Sequence, residues 1–440
     1  MTLLAPAPKP VMTEMRTAII GALIIVLGPI SMSLYTPALP ALVHAFGTTA
    51  SVMKLTLSVY FCGFAFSQLI CGPLSDAYGR RPAAIGFFSL YVVGSIVAAS
   101  APDVTWLIIG RGLQGIGVAA GPAIARAIVR DQFTGQASAR ILNLIGTMLA
   151  IGPALAPTIG GVILSTLGWQ PIFYVMVMYG VLAMGLLVLA VPETNAAPDP
   201  ANARPLQVLR NYGALVKDSG FMRASLMIGF SLGGIYSLAA IVPFVLIETV
   251  GLTPTQFGYA MVCQTGSFML GTIVAGKVMK RGVDANRLVP AGLALVLAGG
   301  ATMAALPWFL PYSFPTVMGP VALWAFGVAL LLPGGTTAAL SGFPTMAGSA
   351  AALMGCMQIG GGFLGSAVAS LFSDPARALG VVVPVMGLIS CAAYVLLKPK
   401  PLPASAPPVD EADLEIATDP VGLIGAAGDE IEAEVFRKSA

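Results

Sequence analysis

Charge is what this chain has least of. Only 9% of its 440 residues are Asp, Glu, Lys or Arg, against roughly 25% in a soluble globular domain. That scarcity excludes a soluble enzyme, a disordered chain and a nucleic-acid binder. Histidine is limited to His44, so a His-based metal site has almost nothing to be built from. The five cysteines, Cys62, Cys71, Cys263, Cys356 and Cys391, sit inside apolar stretches without metal-ligand spacing. They read as small packing residues. No complete phosphate-binding loop and no Ser/His/Asp set is present, so no enzyme activity, metal, nucleotide or covalent cofactor is expected.

Apolar residues fill the space that charge leaves: 57% of the chain is AVILMFWYC. They arrive in blocks long enough to cross a bilayer, which takes about 20 residues. Twelve are read, at 18–43, 54–74, 82–101, 104–126, 141–165, 170–191, 223–247, 256–278, 288–306, 316–340, 348–372 and 377–397. The blocks are continuous rather than alternating, so an all-α membrane protein is expected and not a barrel. The first block is long and has no small-residue cleavage site before or after it, so it reads as a retained span.

Basic residues set the orientation. With the N-terminus in the cytoplasm, nineteen of the 22 Lys and Arg fall on the inner side, Lys54 and Arg377 fall outside, and Arg111 lies within a span. The longest break, 192–222, holds Pro192, Pro198, Pro200 and Pro205. It divides six spans from six. The expected organisation is therefore an N-terminal segment 1–17, a six-helix bundle 18–191, a cytoplasmic linker 192–222, a second bundle 223–397 and an acidic cytoplasmic tail 398–440. The tail holds four Lys/Arg against nine Asp/Glu and reads as solvated and mostly disordered.

Three motifs stand out within the spans. The loop after span 2 reads Gly72-Pro-Leu-Ser-Asp76-Ala-Tyr-Gly79-Arg80-Arg81. Its glycines permit a tight reversal, and Asp76 beside Arg80 and Arg81 predicts a charge cluster at a gate. Span 4 carries Arg111-Gly-Leu-Gln114, with the arginine roughly 10 Å inside the span and Gln114 on the same face. An intramembrane arginine is costly and normally faces a wet cavity or a partner. Span 5 carries Gly152-Pro153-Ala-Leu-Ala-Pro157-Thr-Ile-Gly160-Gly161, where small residues let helices approach and proline bends the axis.

The loop motif, the span count and the six-plus-six division resemble the major facilitator superfamily. The resemblance implies twelve transmembrane helices in two pseudo-symmetric six-helix bundles. It also implies a proton-transfer role for the span 4 arginine and an antiporter role for the span 5 motif. The end of span 1, Ser33-Leu-Tyr35-Thr-Pro37, together with Arg126–Asp131, Pro243–Glu248 and Met346–Ala350, looks like the Bcr/CflA branch of drug:proton antiporters. That branch usually has Asp where this chain has Ser33. In the family spans 1, 4, 7 and 10 line the cavity, and Ser33, Tyr35, Asn143, Tyr236 and Trp324 are the residues expected there beside Arg111 and Gln114.

Nineteen acids are present, nine of them in the tail, and none lies in the middle third of a span. A cavity with Arg111 and no carboxylate favours neutral or anionic amphipaths over cations. The expected function is export of small amphipathic molecules, drug-like or metabolite, by alternating access with proton coupling. The expected setting is a bacterial inner membrane, with both termini cytoplasmic and a monomer in the bilayer. A uniporter or importer, and a transport-dead sensor or scaffold acting through the tail, are the alternatives.

Overall fold

The computed structural model describes residues 10–195, 197–343 and 346–398. The acidic tail from 399 onward lies outside the described residues, as do the first nine residues and the side chain of Asn143. Among the described residues twelve helices are long and apolar enough to cross a membrane. We number them as spans 1 to 6, Glu14–Ala45, Ala50–Tyr78, Arg80–Ala99, Val104–Gln132, Gln136–Leu167 and Gln170–Ala190. Spans 7 to 12 are Ser219–Thr249, Pro254–Lys280, Ala285–Phe309, Phe314–Leu340, Ala347–Ser370 and Pro375–Leu396. Each overlaps the block read from the sequence. Between spans 6 and 7 lies a linker helix, Pro205–Lys217.

Short polar residues start these helices by capping free backbone amides. Thr49 Oγ1 accepts from Val52 N at 3.3 Å, and Asp103 accepts from Thr105 N at 2.8 Å. Asp218 accepts from Phe221 N at 2.8 Å, and Thr253 forms a capping box with Gln256. Asp374 accepts from Ala376 N at 2.9 Å. Much of the scarce acid is thus spent on helix ends rather than on a cavity.

The spans pack by a rule that repeats six positions later. Span 1 packs on 5, 2 on 4, 3 on 4 and 3 on 6; likewise 7 packs on 11, 8 on 10, 9 on 10 and 9 on 12. Glycines make the matching approaches. A Cβ on Gly110 of span 4 would lie 2.8 Å from Gly94 O of span 3, and one on Gly327 of span 10 would lie 2.7 Å from Gly292 O of span 9. Each half encloses its own apolar core. The halves meet along two seams, span 2 on span 11 and span 5 on span 8, which the same six-span shift exchanges.

An even number of spans brings residues 14 and 396 to one end, the basic end, with the linker. Every described hydrogen bond between the two halves lies between the middle of the molecule and the opposite end. Ser58 Oγ donates to Ser366 Oγ at 2.9 Å. Ser51 Oγ donates to Phe372 O at 3.4 Å, and Ser165 and Thr255 share a hydroxyl contact of 3.3 Å. Lys54, counted among the outer-side cations, lies in the second turn of span 2 and is fully buried. Its Nζ donates to Ala369 O at 3.1 Å and Phe372 O at 2.9 Å, across the seam.

Candidate functional site

Arg111 sits inside the first half with no exposed surface. Its guanidinium carbon is 4.5 Å from the ring centre of Tyr35 and 4.3 Å from that of Tyr60. Desolvated cation–aromatic contacts are worth about 2 kcal/mol each. Nη1 donates to Gln114 Oε1 at 2.7 Å, which the spacing of three on one helix allows. Gln114 Nε2 in turn donates to Ser95 Oγ of span 3 at 2.7 Å. Both tyrosines are anchored at their hydroxyls. Tyr60 donates to Gly28 O at 2.8 Å, and Tyr35 shares a 2.8 Å contact with Thr56 Oγ1. Arg111 Nε and Nη2 have no partner among the described residues, and no described ion pair includes Arg111. The cluster is therefore a buried cation held by aromatic faces and one amide, without a counter-charge among the described residues.

The structure brings Arg111, Gln114 and Tyr35 together as expected positions, and adds Tyr60, Thr56 and Ser95. Ser33 is buried nearby on span 1, where its carbonyl accepts from Thr36 Oγ1 at 2.8 Å. Tyr236 stands at the seam, its ring 5.6 Å from that of Phe61. Trp324 is placed differently from the expectation of a cavity residue. It has no exposed surface, and its Nε1 donates to Ser231 O at 3.0 Å. Gly234, Gly300 and Gly387 all abut its indole. Those glycines leave an indole-sized space in the core of the second half, so Trp324 is a packing residue.

The loop motif forms a charge cluster at the basic end. Arg80 Nε donates to Asp131 Oδ2 at 2.8 Å, Nη1 donates to Ser75 Oγ at 2.8 Å, and Arg80 also pairs with Asp76. Glu193 completes it. Its two carboxylate oxygens accept from Arg80 N at 2.9 Å and Arg81 N at 3.1 Å, capping the positive end of span 3. Gly79 must be glycine twice over: φ is +100°, and a Cβ would fall 2.5 Å from Glu193 Oε2. Apart from Glu193, which opens the linker, these partners belong to the first half.

The span 5 motif works at two contacts. A Cβ on Gly160 would fall 2.2 Å from Leu34 O of span 1, and one on Gly161 would fall 2.3 Å from Pro254 O of span 8. Gly258 of span 8 returns the approach, 2.5 Å from Thr158 Cα. Gly152 abuts Val26 of span 1 at 2.5 Å by the same construction. Pro153 and Pro157 lie inside the helix.

The Major Facilitator Superfamily model matches residues 21–366. The chain belongs to the major facilitator superfamily. It is a multi-pass membrane transporter rather than an enzyme. Similar sequences include an MFS-type transporter of Bacillus subtilis, YdgK, 28% identical over 390 residues, covering 87% of this chain and 95% of that one. Multidrug resistance protein D of Escherichia coli is 27% identical over 368 residues, with 83% and 92% covered. The bicyclomycin resistance protein homolog of Haemophilus influenzae is 26% identical over 373 residues, with 84% and 93% covered. The two resistance-protein names agree with the drug-efflux branch read from the sequence. In fold, the chain is similar to the Escherichia coli xylose transporter XylE in a partially occluded inward-open conformation. The TM-score is 0.64 at 14% identity, covering 87% of this chain and 96% of that one.

Two functional-looking residues of this superfamily member escaped the sequence reading. Glu193 follows span 6 by three residues, yet the span 3 amides it caps lie more than a hundred positions away. Lys54 read only as an outer-side charge because the carbonyls that bind it lie at and just past the end of span 11. Only a free acid at a span-6 exit and a lone lysine at a span start hinted at them.

Proposed function

We propose that this transporter exports small neutral or anionic amphipathic molecules, drug-like or metabolite, from a bacterial cytoplasm across the inner membrane, in exchange for protons. Both termini lie in the cytoplasm, as the nineteen-to-two excess of basic residues at that end supports. The observation that carries the substrate class is Arg111, a fully buried cation with two partnerless donors and no acid partner among the described residues. In a low-dielectric interior such a charge attracts anions and repels cations. Substrate binds between the halves near the midplane, and the halves rock about the two seams. The bonds joining the halves toward the opposite end support an inward-facing state. The Asp76–Arg80–Asp131 cluster, with Gly79 and Arg81, stabilises one gate state.

Nine of the ten described acids are bound in caps or ion pairs. Glu248 is the one without a described hydrogen bond, and within this reading it carries the proton. The same census supports a second reading, an uncoupled uniporter. Flux of an anionic, a neutral and a cationic amphipath in proteoliposomes, each with and without a pH gradient, separates them. Export of the first two, accelerated by the gradient and losing that acceleration in Glu248→Gln, is expected. Flux indifferent to the gradient selects the uniporter, and preference for the cation overturns the substrate class.

A further inference from the structure

The linker helix Pro205–Lys217 has two apolar sides, and only one of them is packed. On the packed side Leu215 has no exposed surface, and Tyr212 donates its hydroxyl to Leu69 O of span 2 at 2.8 Å. Burial pushes the Tyr212 hydroxyl up to about 12, so it stays protonated and keeps donating. The helix also touches spans 7 and 11. It therefore lies at the rim of the bundle beside the seam of spans 2 and 11. The other side presents Leu206, Leu209 and Val216, exposed by 81%, 67% and 50%. At 3.6 residues per turn these three fall within about 80° of one another, and Arg210 and Lys217 border them within about 40° of Leu206. Between Asp199 and Asp218 the chain has Arg204, Arg210 and Lys217 and no acid.

We propose that this face docks on the bilayer, with Leu206, Leu209 and Val216 among the upper acyl chains and Arg210 and Lys217 on anionic phospholipid headgroups. Three facts favour lipid over a protein partner. The helix is tethered at both ends to membrane spans, so a leaflet surface is always within reach. An apolar stripe edged by cations matches the two layers of an anionic leaflet in depth order. Finally, the charge is of one sign only, which complements anionic lipid. The inference needs only that the chain spans a membrane, and stands apart from the substrate reading. Because Tyr212 holds span 2 while Leu215 belongs to the core of the second half, docking bears on both halves at once.

The test is a spin label on Leu209→Cys in the full chain with its five native cysteines replaced by alanine, reconstituted in vesicles rich in phosphatidylglycerol or made of phosphatidylcholine alone. Collision with oxygen reports acyl chains, and collision with a nickel chelate reports water. A Gln207→Cys label serves as the control on the polar side. Oxygen contact at 209 and chelate contact at 207 are expected in the anionic vesicles. Arg210→Gln and Lys217→Gln should each lower the docked-to-lifted ratio roughly fivefold. Chelate contact at 209 in both vesicles overturns the proposal. So does equal docking on phosphatidylcholine, which removes the headgroup role, and so does shielding that rises with protein density, which indicates a second copy. Should the cysteine-free chain fail to insert, quenching of Leu209→Trp by brominated lipids gives the same readout in the native background.

Discussion

The ammonium of Lys54 in the first half stands 2.9 Å from the carbonyl oxygen of Phe372 in the second. Ala369 lies in the last turn of span 11 and Phe372 two residues past its end, where backbone acceptors run short of intrahelical donors. A cation there also meets the negative end of the helix dipole. The contact is buried and crosses the seam that must part for the opposite end to open. Lys54→Met should remove it and shift the population toward opening at that end. A cysteine placed at Ser51, near the seam, should then react faster with a membrane-impermeant thiol reagent, by about tenfold for hydrogen bonds of a charged group. Lys54→Arg should retain much of the closed population. Equal reactivity in all three proteins would make Lys54 a bystander.

Gly161 sets the other seam. Any side chain there meets the Pro254 carbonyl, which is backbone and cannot rotate away. Gly161→Leu should therefore abolish flux while the protein still inserts, because overpacking costs about 1–3 kcal/mol and moves a helix. Gly185, whose Cβ would meet nothing within 4 Å, is the control: Gly185→Ala should transport as the parent does. Flux of the parent level in Gly161→Leu would show that the seam of spans 5 and 8 does not govern transport.

In the charge cluster the two acids differ. Asp131 is 15% exposed and Asp76 is 40% exposed, on the same Arg80. Water screens the more open pair, so Asp131→Asn should cost more stability than Asp76→Asn, by about 1 kcal/mol. Thermal unfolding in detergent measures the order. Both variants should slow transport. The reverse stability order would mean that Arg80 depends on Asp76 more than on its buried partner.

Much of this molecule is written in its sequence, for a physical reason. A bilayer demands long apolar helices, so twelve spans and their basic end follow from composition and the positions of Lys and Arg. The Asp76–Arg80 pair and Arg111 with Gln114 are equally legible, because each pair is local on one helix. Long-range placement is not. Trp324 looks like a cavity aromatic until glycines from three other spans surround it. Tyr60 becomes the second face of the arginine clamp only when span 2 lies beside span 4. Lys54 and Glu193 take their meaning from partners across the fold. Periodicity reveals a helix face, but not which helix covers it.

An uncompensated Arg111 should make the interior selective for anionic and neutral molecules. The most direct measurement is the ratio of initial flux of an anionic to a cationic amphipath of matched size, in proteoliposomes of the parent and of Arg111→Met. Methionine removes the charge while filling similar space between Tyr35 and Tyr60, and replacing a buried ion by an apolar group is often neutral to folding. A ratio well above one is expected in the parent and a fall of about tenfold in the variant, the lower end of what a focused charge does to local ligand concentration. An unchanged ratio in a variant that still transports would contradict it.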